Sequence, residues 1–428
     1  MAVITEWERI DSNKYCKLLI LNKYHNKYHI KKYNIKKYYI RKYNTKKYCI
    51  KKYNIKKYYI KKYHIKEYYI NRYIIIISRR RDMRYPDNLR DNGRIGFVAP
   101  SFGCATEPYK SAFNNALSKF GEMGYTLVTG PNCYEALGIG ISNTPDKCGK
   151  ELTEYYIADN SDVIISCGGG ELMCEILDYV DFDRISEAKP KWYMGYSDNT
   201  NFTFLLNTLC DTAAIYGPCA PAFGMEPWHS SLDDAYRILR GEIKSVYSYD
   251  MWEKKSLKDE EHPFEPYNVT EQTIIKNYIG KSMTDRVEMS GRLLGGCVDC
   301  LVNLTGTSYD RVKEFADTYK EDGIIWFLEC CDLNVMSIRR AMWHLKHSGW
   351  FKYTKGFIIG RPFMQIYEPE MMGLDMYDAV LEVIGEYNVP VIMDANIGHL
   401  APMMPIISGA CAKIESQNNN VKIDYEFR

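Results

Sequence analysis

The sequence predicts an α/β protein: a doubly wound parallel-sheet domain, then a smaller α/β domain, preceded by a low-complexity basic arm. From residue 94 onward, short apolar runs alternate with segments of helical period. Strands that alternate with helices favour right-handed crossovers and therefore parallel sheets. The chain of 428 residues is also longer than one ordinary core requires.

The arm is built on a repeat with the approximate unit Tyr-x-Ile-Lys-Lys. A tyrosine stands at every fifth residue from Tyr28 to Tyr73. This period rotates successive tyrosines around a helix and alternates them between the faces of a strand, so neither structure gains an apolar face. We therefore interpret residues 1–91 as a low-complexity arm and linker outside the fold.

Charge is divided unevenly between the arm and the body. Residues 1–80 hold 23 Lys or Arg against four acids, whereas the remainder holds 33 against 50. An acidic body disfavours nucleic-acid binding, because phosphate attraction requires a positive surface. The Lys and Tyr residues of the arm leave open single-strand binding by charge and stacking. The other interpretation is that the arm is translated upstream sequence, because the codons for Tyr, Lys, Asn and Ile are rich in A and T.

The first domain is predicted over residues 92–225. Strands are predicted at 94–101, 125–128, 162–166, 192–196 and 213–216. Helices are predicted at 107–123 and 146–158, and two more begin near Glu171 and Asn199. In a doubly wound sheet, functional groups gather at the carboxyl ends of the strands.

A connecting loop region is predicted at residues 226–288, where the pattern becomes polar and aromatic. Long ordered connections are often binding loops, so Trp228 and Trp252 are candidates to stack on a substrate. Residues 289–428 then predict the second α/β domain, with a Gly-rich segment at 291–306. Its strands are predicted at 323–328, 356–360 and 390–393, and its helices at 337–347 and 376–387.

The cysteines indicate buried thiols in a reducing compartment. There are 14, scattered through a large body, and neither the Cys297-x-x-Cys300 spacing nor the Cys330-Cys331 pair has the second pair that a zinc site needs. No apolar run approaches the roughly 20 residues that cross a bilayer. We expect a cytoplasmic protein with no metal, no organic cofactor and no membrane partner.

Ser197 lies in a Gly-Tyr-Ser-Asp-Asn segment between a predicted strand and a predicted helix. A tight turn there would raise its hydroxyl to a helix N-terminus, where the N–H of Asp198 could stabilise an oxyanion. Taken alone, the serine is better explained as an N-cap than as a nucleophile. Gly169 and Gly170, in the glycine run after the preceding strand, are candidates for a second oxyanion donor, and a simple tight turn is the alternative.

Five segments in order carry a family resemblance: "GGGELMCEILDYVDFD", "YMGYSDNTNFTFLL", "GRLLGGCVDCLVNLTGT", "IIWFLEC" with the "SIRRAMWHLKHSGWF" and "GFIIGRP" that follow, and "IGHLAPMMPIISGACAKI". Together they resemble the LD-carboxypeptidase family of serine peptidases over residues 94–428. The long Trp-containing connection is closer to the branch with the microcin C self-immunity carboxypeptidases. The resemblance implies a flavodoxin- or amidotransferase-like first domain, a homodimer, and no cofactor.

The resemblance also assigns the site residues. It implies Ser197 as nucleophile, Glu329 at the end of "WFLE" as the acid and His399 of the Gly-His segment as the base. Alone, Glu329 could be a salt-bridged strand end and His399 a loop histidine, but the three supply every member of a Ser-His-Glu relay. Cys330, Cys331 and Gly170 depart from the family pattern, which bears on substrate preference.

The resemblance implies hydrolysis of an amide near a free C-terminus, in a murein L,D-peptide or in a peptidyl or aminoacyl nucleotide. The aromatic connection favours the second substrate class. The partner expected is thus a small peptide or peptidyl-nucleotide. Two alternatives stay open: a noncatalytic small-ligand-binding protein of the same fold, and nucleic-acid binding through the basic arm.

Overall fold

The computed structural model describes residues 82–428, together with the backbone of four short strands before them. Those strands pair antiparallel, Ala2–Val3 with Leu21–Asn22 and Tyr15–Lys17 with Tyr39–Arg41. The chain divides into two compact units, Met1–Arg80 and Arg81–Arg428. Apart from these four strands, residues 1–81 lie outside the described residues. The prediction of a low-complexity arm outside the fold falls mainly on them. The second unit is the body.

The first half of the body alternates strands and helices as the sequence predicts. Its elements are β1 (Arg94–Val98), α1 (Tyr109–Glu122), β2 (Thr126–Thr129), α2 (Pro145–Ile157), β3 (Val163–Ser166), α3 (Phe182–Glu187), β4 (Trp192–Gly195), α4 (Thr200–Cys210), β5 (Ala214–Tyr216) and α5 (Ser230–Leu239). Short 3-10 turns cover Met173–Tyr179, Ser197–Asn199 and Ala220–Gly224. The helix predicted near Glu171 is therefore a 3-10 turn followed by the short α3.

The second half of the body contains more strands than predicted. Its elements are β6 (Ser245–Tyr247), β7 (Met251–Glu253), β8 (Val269–Gln272), β9 (Lys276–Ile279), β10 (Ser282–Thr284), β11 (Arg286–Cys297), α6 (Val298–Leu304), α7 (Val312–Thr318), β12 (Ile324–Glu329), α8 (Val335–His347), β13 (Thr354–Gly360), β14 (Glu370–Met371), β15 (Leu374–Asp375), α9 (Met376–Ile384), β16 (Pro390–Ala395), β17 (Ile406–Ser408), β18 (Cys411–Gln417) and β19 (Asn420–Glu426). Two further 3-10 turns cover Phe363–Ile366 and Gly385–Tyr387.

Two sheets organise the body. The first has the order β17-β5-β4-β3-β1-β2, and its strands run parallel except for β17. The order 2-1-3-4-5 within it is that of a flavodoxin-like doubly wound sheet. The second sheet has the order β6-β19-β18-β11-β12-β13-β16-β9-β10, with β11, β12, β13 and β16 parallel. The predicted mixed α/β fold with parallel sheets is confirmed.

Both faces of the first sheet are covered, as a doubly wound sheet requires. Val98, Ile164 and Tyr193 belong to one buried cluster, which includes residues of α2 and α4. Phe97 and Ile165 belong to the other cluster, which extends continuously into the second sheet. Because strand residues alternate between faces, neighbouring positions in β1 and β3 enter different clusters.

Two segments differ from their predicted character. Residues 226–288, predicted as a connecting loop region, contain α5 and the strands β6 to β10, because their strands pair with distant partners such as β19 and β16. Within the predicted arm and linker, residues 82–91 pack onto the body. Met83 and Leu89 are buried, and Arg84 donates to Thr212 Oγ1 and to the Ala188 carbonyl. In the described part of the chain, no helix has the length and apolar character needed to span a membrane.

Candidate active site

The three side chains that the sequence analysis assigned to a relay lie in one hydrogen-bonded line. His399 Nε2 is 2.8 Å from Ser197 Oγ, and His399 Nδ1 is 2.8 Å from Glu329 Oε2. Ser197 follows β4, Glu329 ends β12, and His399 lies in the loop after β16. All three therefore stand at the carboxyl ends of parallel strands, two in the second sheet and one in the first.

Ser197 adopts a strained backbone conformation. Its φ is +62°, which a residue with a side chain rarely adopts, and it sits in the tight turn between β4 and α4. Such conformations persist only where the surroundings hold them, and they concentrate at functional sites. The surroundings here include a hydrogen bond from the Ser197 N–H to the hydroxyl oxygen of Tyr216.

Tyr216 connects the serine and the acid directly. Its hydroxyl accepts from Ser197 at 3.0 Å and donates to Glu329 Oε1, and its side chain is fully buried at the end of β5. The sequence predicts the strand at residues 213–216 but not this role of its last residue. A tyrosine at the end of the strand next to the nucleophile's own is the signal that could have found it, because that end meets the nucleophile turn.

Charge stabilises the imidazolium form of His399. Burial alone would lower the pKa of His399, but the charge and hydrogen bond of Glu329, together with Cys331, hold that pKa well above its ordinary value. Burial likewise would raise the pKa of Glu329, whereas the adjacent imidazolium and the hydrogen bond from Tyr216 leave it below its ordinary value. Each group therefore favours the charged form of the other.

Gly398 lets the backbone approach Glu329 closely enough for the relay to form. Its φ is +100°, and a Cβ at this position would stand 2.5 Å from Oε2 of Glu329 and 2.8 Å from its Cβ. Any side chain would therefore displace the carboxylate that contacts the next residue, His399. Glycine is required here for both its backbone conformation and its lack of volume.

The candidate oxyanion donors border the nucleophile. A Cβ on Gly169 would lie 3.0 Å from the Cβ and 3.1 Å from the Oγ of Ser197, so the glycine backbone abuts the hydroxyl. Gly170 lines the same cavity as Ser197 and Asp198. The Asp198 carboxylate is turned inward, where it accepts from Ser101 Oγ at 2.6 Å and from the Met173 N–H.

The two tryptophans occupy different surroundings, and neither lines this cavity. Trp252 lies in β7, half-buried, with the guanidinium of Arg361 5.0 Å from its ring centre. Trp228 donates from Nε1 to the Phe223 carbonyl and packs against the rings of Phe120 and Tyr236. The structure therefore places Trp228, partly buried, against the hydrophobic core and outside the lining of this cavity.

The cavity beside the relay has a volume of about 290 Å³. Cys331, one of the departures from the family pattern, lines it, and its thiol also acts on His399, favouring the imidazolium. The cysteines of the described part are free thiols, including Cys297, Cys300 and Cys330. Among described residues, no group of three His, Cys, Asp or Glu side chains has an arrangement that could hold a metal ion.

Comparisons with known proteins show the family of the chain. Residues 95–217 match the family model described as the LD-carboxypeptidase N-terminal domain, and residues 290–414 match the one described as the LD-carboxypeptidase C-terminal domain. The microcin C7 self-immunity protein MccF of Escherichia coli is 25% identical over 341 residues, which cover 78% of this chain and 93% of that protein.

Solved structures share the fold. The crystal structure of an MccF-like protein from Bacillus anthracis has a TM-score of 0.67 at 22% identity, over 80% of this chain and 100% of its own. A structure of MccF in complex with glutamyl sulfamoyl guanosine has a TM-score of 0.65 at 22% identity, over 80% of this chain and 98% of its own. At this identity the likeness concerns the fold.

Proposed function

The chain belongs to the LD-carboxypeptidase family, and from the geometry of its site we propose that it is a serine hydrolase of amide bonds that acts through Ser197, His399 and Glu329. The observation that carries the proposal is the unbroken line of two 2.8 Å hydrogen bonds from serine to histidine to glutamate. A hydroxyl, a base and an orienting acid in this order form the arrangement that activates a serine nucleophile.

In the proposed mechanism, His399 begins the reaction as the neutral imidazole, with its proton on Nδ1 toward Glu329. Ser197 Oγ attacks the substrate carbonyl as its proton passes to Nε2. The imidazolium then donates that proton to the leaving nitrogen as the C–N bond breaks, which leaves an ester on Ser197. Water attacks this ester by the same route in reverse, releases the acid and restores the hydroxyl.

The negative charge of the tetrahedral intermediate needs donors that are not already engaged. The N–H of Ser197 donates to Tyr216 and is therefore occupied. We assign the role to the N–H of Asp198 and of a loop glycine, Gly169 or Gly170, because both segments border the nucleophile. Oriented backbone donors of this kind stabilise an oxyanion without reorganisation.

The proposed substrate is an amide near a free C-terminus or an aminoacyl or peptidyl nucleotide amide, and we favour the second class. Solved structures of the relative MccF are complexes with glutamyl sulfamoyl guanosine and with aspartyl sulfamoyl adenosine. One purified sample assayed with an aminoacyl-sulfamoyl adenosine and with a murein tetrapeptide discriminates between the classes. Turnover of the tetrapeptide alone would reverse this preference.

Ser197→Ala tests whether the protein is a catalyst. We expect the rate of amide hydrolysis to fall by about 10³-fold or more, because the nucleophile is removed while the cavity is kept. Ser118→Ala is the matched control, since Ser118 is an exposed serine of α1. A wild-type rate no higher than that of Ser197→Ala would instead indicate a noncatalytic ligand-binding protein.

A further inference from the structure

The charged residues that line the cavity beside Ser197 are almost all acidic. Four acidic residues line it: Glu171, Asp299 and Asp332, together with Asp198, whose carboxyl group is turned inward. Among the described residues that line it, none is Lys or Arg, and the only basic group is His399. The imidazole of His399 already has Glu329 as its partner, so it neutralises none of the four.

Two of these carboxylates are free to meet a ligand. Glu171 and Asp332 are exposed and belong to the loops that follow β3 and β12, so each sheet contributes one. Asp299 lies deeper, where it accepts from the backbone N–H groups of Cys331 and Asp332 at 3.1 and 2.9 Å. These two hydrogen bonds hold the Asp299 side chain in place at the cavity wall.

A second, independent observation points to a hydrogen-bond donor in the ligand. Asn201 lines the cavity, is 1% exposed, and donates from Nδ2 to the carbonyl and the carboxylate of Asp198. These two acceptors fix which way its amide faces. Its Oδ1 is then left without a partner among the described residues. A buried acceptor without a donor is unfavourable, and an ammonium group supplies donors and no acceptor.

We propose that this cavity selects amide substrates whose acyl residue carries a cationic amine on its side chain, and disfavours those whose acyl residue carries a carboxylate on its side chain. The inference rests on the proposed hydrolase function. Its physical basis is that a cation gains attraction from several carboxylates, whereas a carboxylate in the same place meets like charge and no compensating cation. The proposed specificity is therefore the opposite of that expected of a cavity that binds an acyl residue with an acidic side chain.

The test compares lysyl-, norleucyl- and glutamyl-sulfamoyl adenosine, which differ only in the amino-acid side chain. We expect kcat/KM to fall in that order, by about tenfold at each step at low salt, and the steps to shrink as salt is added. The same order is expected for the Kd values of the three compounds with Ser197→Ala. If glutamyl is used or bound as well as norleucyl, the inference is wrong.

Binding and turnover separate the two proposals. Absence of turnover on all three compounds would refute the proposed hydrolase, and the Kd order with Ser197→Ala would still decide the charge preference. Asp332→Lys should reduce the lysyl-to-glutamyl ratio by about tenfold or more, because it reverses one charge at the cavity. The matched control is Glu321→Lys, an exposed acid before β12 and thus at the opposite end of that strand from Glu329.

The Asp332 variant should not disturb the fold. The contact of residue 332 with Asp299 is made by its backbone N–H, which the substitution keeps. Thermal melting of both variants checks this point. If Asp332→Lys and Glu321→Lys give the same lysyl-to-glutamyl ratio as the wild type, the cavity does not set the preference and the inference is overturned.

Discussion

Glu329→Gln tests whether the carboxylate sets both the tautomer and the basicity of His399. Glu329 is 1% exposed, and its two oxygens have different partners: Oε2 meets His399 Nδ1, and Oε1 accepts from Tyr216. The hydroxyl oxygen of Tyr216 already accepts from the Ser197 N–H, so its proton points to residue 329. A glutamine must therefore turn its carbonyl oxygen to Tyr216 and its NH₂ group to His399.

That orientation places the proton of the neutral imidazole on the wrong nitrogen. With an amide donating to Nδ1, the imidazole carries its proton on Nε2 and cannot accept one from Ser197. We expect kcat to fall by about 10³- to 10⁴-fold, as in serine hydrolases whose base is held in the wrong tautomer. The volume of the side chain hardly changes, so the loss measures chemistry and not packing.

The pH dependence should change in a definite direction. The wild-type pKa of His399 is raised, and only the neutral imidazole can act as base, so kcat/KM should decline as the pH falls through that raised pKa. Glutamine removes the charge that stabilises the imidazolium, which lowers the pKa of His399. The decline in kcat/KM should therefore move to lower pH, by about one unit or more.

The assay is kcat/KM on one amide substrate from about pH 5 to about pH 9, for the wild type, Glu329→Gln and the double variant with Tyr216→Phe. In the double variant the glutamine is free to rotate and present its oxygen to His399, so we expect a higher rate than in Glu329→Gln alone. A Glu329→Gln rate within tenfold of the wild type, or a decline that moves to higher pH, would refute this reasoning.

Three further substitutions test the surroundings of the relay. Tyr216→Phe leaves the Ser197 N–H and one Glu329 oxygen without their partner, so the free energy of unfolding measured by urea titration should fall by about 2–4 kcal/mol. An unchanged free energy of unfolding would contradict the two hydrogen bonds of Tyr216. Gly398→Ala should lower kcat by about 100-fold, whereas Gly373→Ala, also at positive φ but with open space around it, should leave kcat unchanged. Trp252→Ala should raise KM about tenfold for a nucleotide amide and not for a tetrapeptide if the ring stacks on a base. Trp228→Ala, its matched control, should lower the melting temperature while KM stays the same.

Local sequence patterns were sufficient to predict most strands of the parallel sheets. The predicted strands at residues 94–101 and 192–196 contain β1 and β4, and the predicted helix at 337–347 lies within α8. The hydrophobic period of each of these elements, and the residues that end it, lie within or beside the element itself, so short windows of sequence reveal them. The strands of residues 245–284 were missed because they are short and polar, and two of them, β6 and β9, pair with strands far away in the chain.

The site could be predicted in part. Position after a strand indicated Ser197, and family resemblance added Glu329 and His399, while the role of Tyr216 depended on which strand lies beside β4. The prediction that Trp228 stacks on a substrate met the same difficulty, because an aromatic residue in an aperiodic stretch looks alike whether it meets a ligand or the core. Both questions depend on which residues are neighbours in space, and short windows of sequence do not contain that information.

The path of the chain around His399 explains how one histidine can contact a residue of each sheet. The preceding strand, β16, belongs to the second sheet beside β13, and the following strand, β17, pairs antiparallel with β5 of the first sheet. His399 thus lies on the segment that crosses from one sheet to the other, and pairing fixes both ends of that segment. The imidazole stands between a nucleophile anchored in the first sheet and an acid anchored in the second. Because β5 also ends in Tyr216, the strand that receives the crossing segment supplies the hydroxyl that links nucleophile and acid.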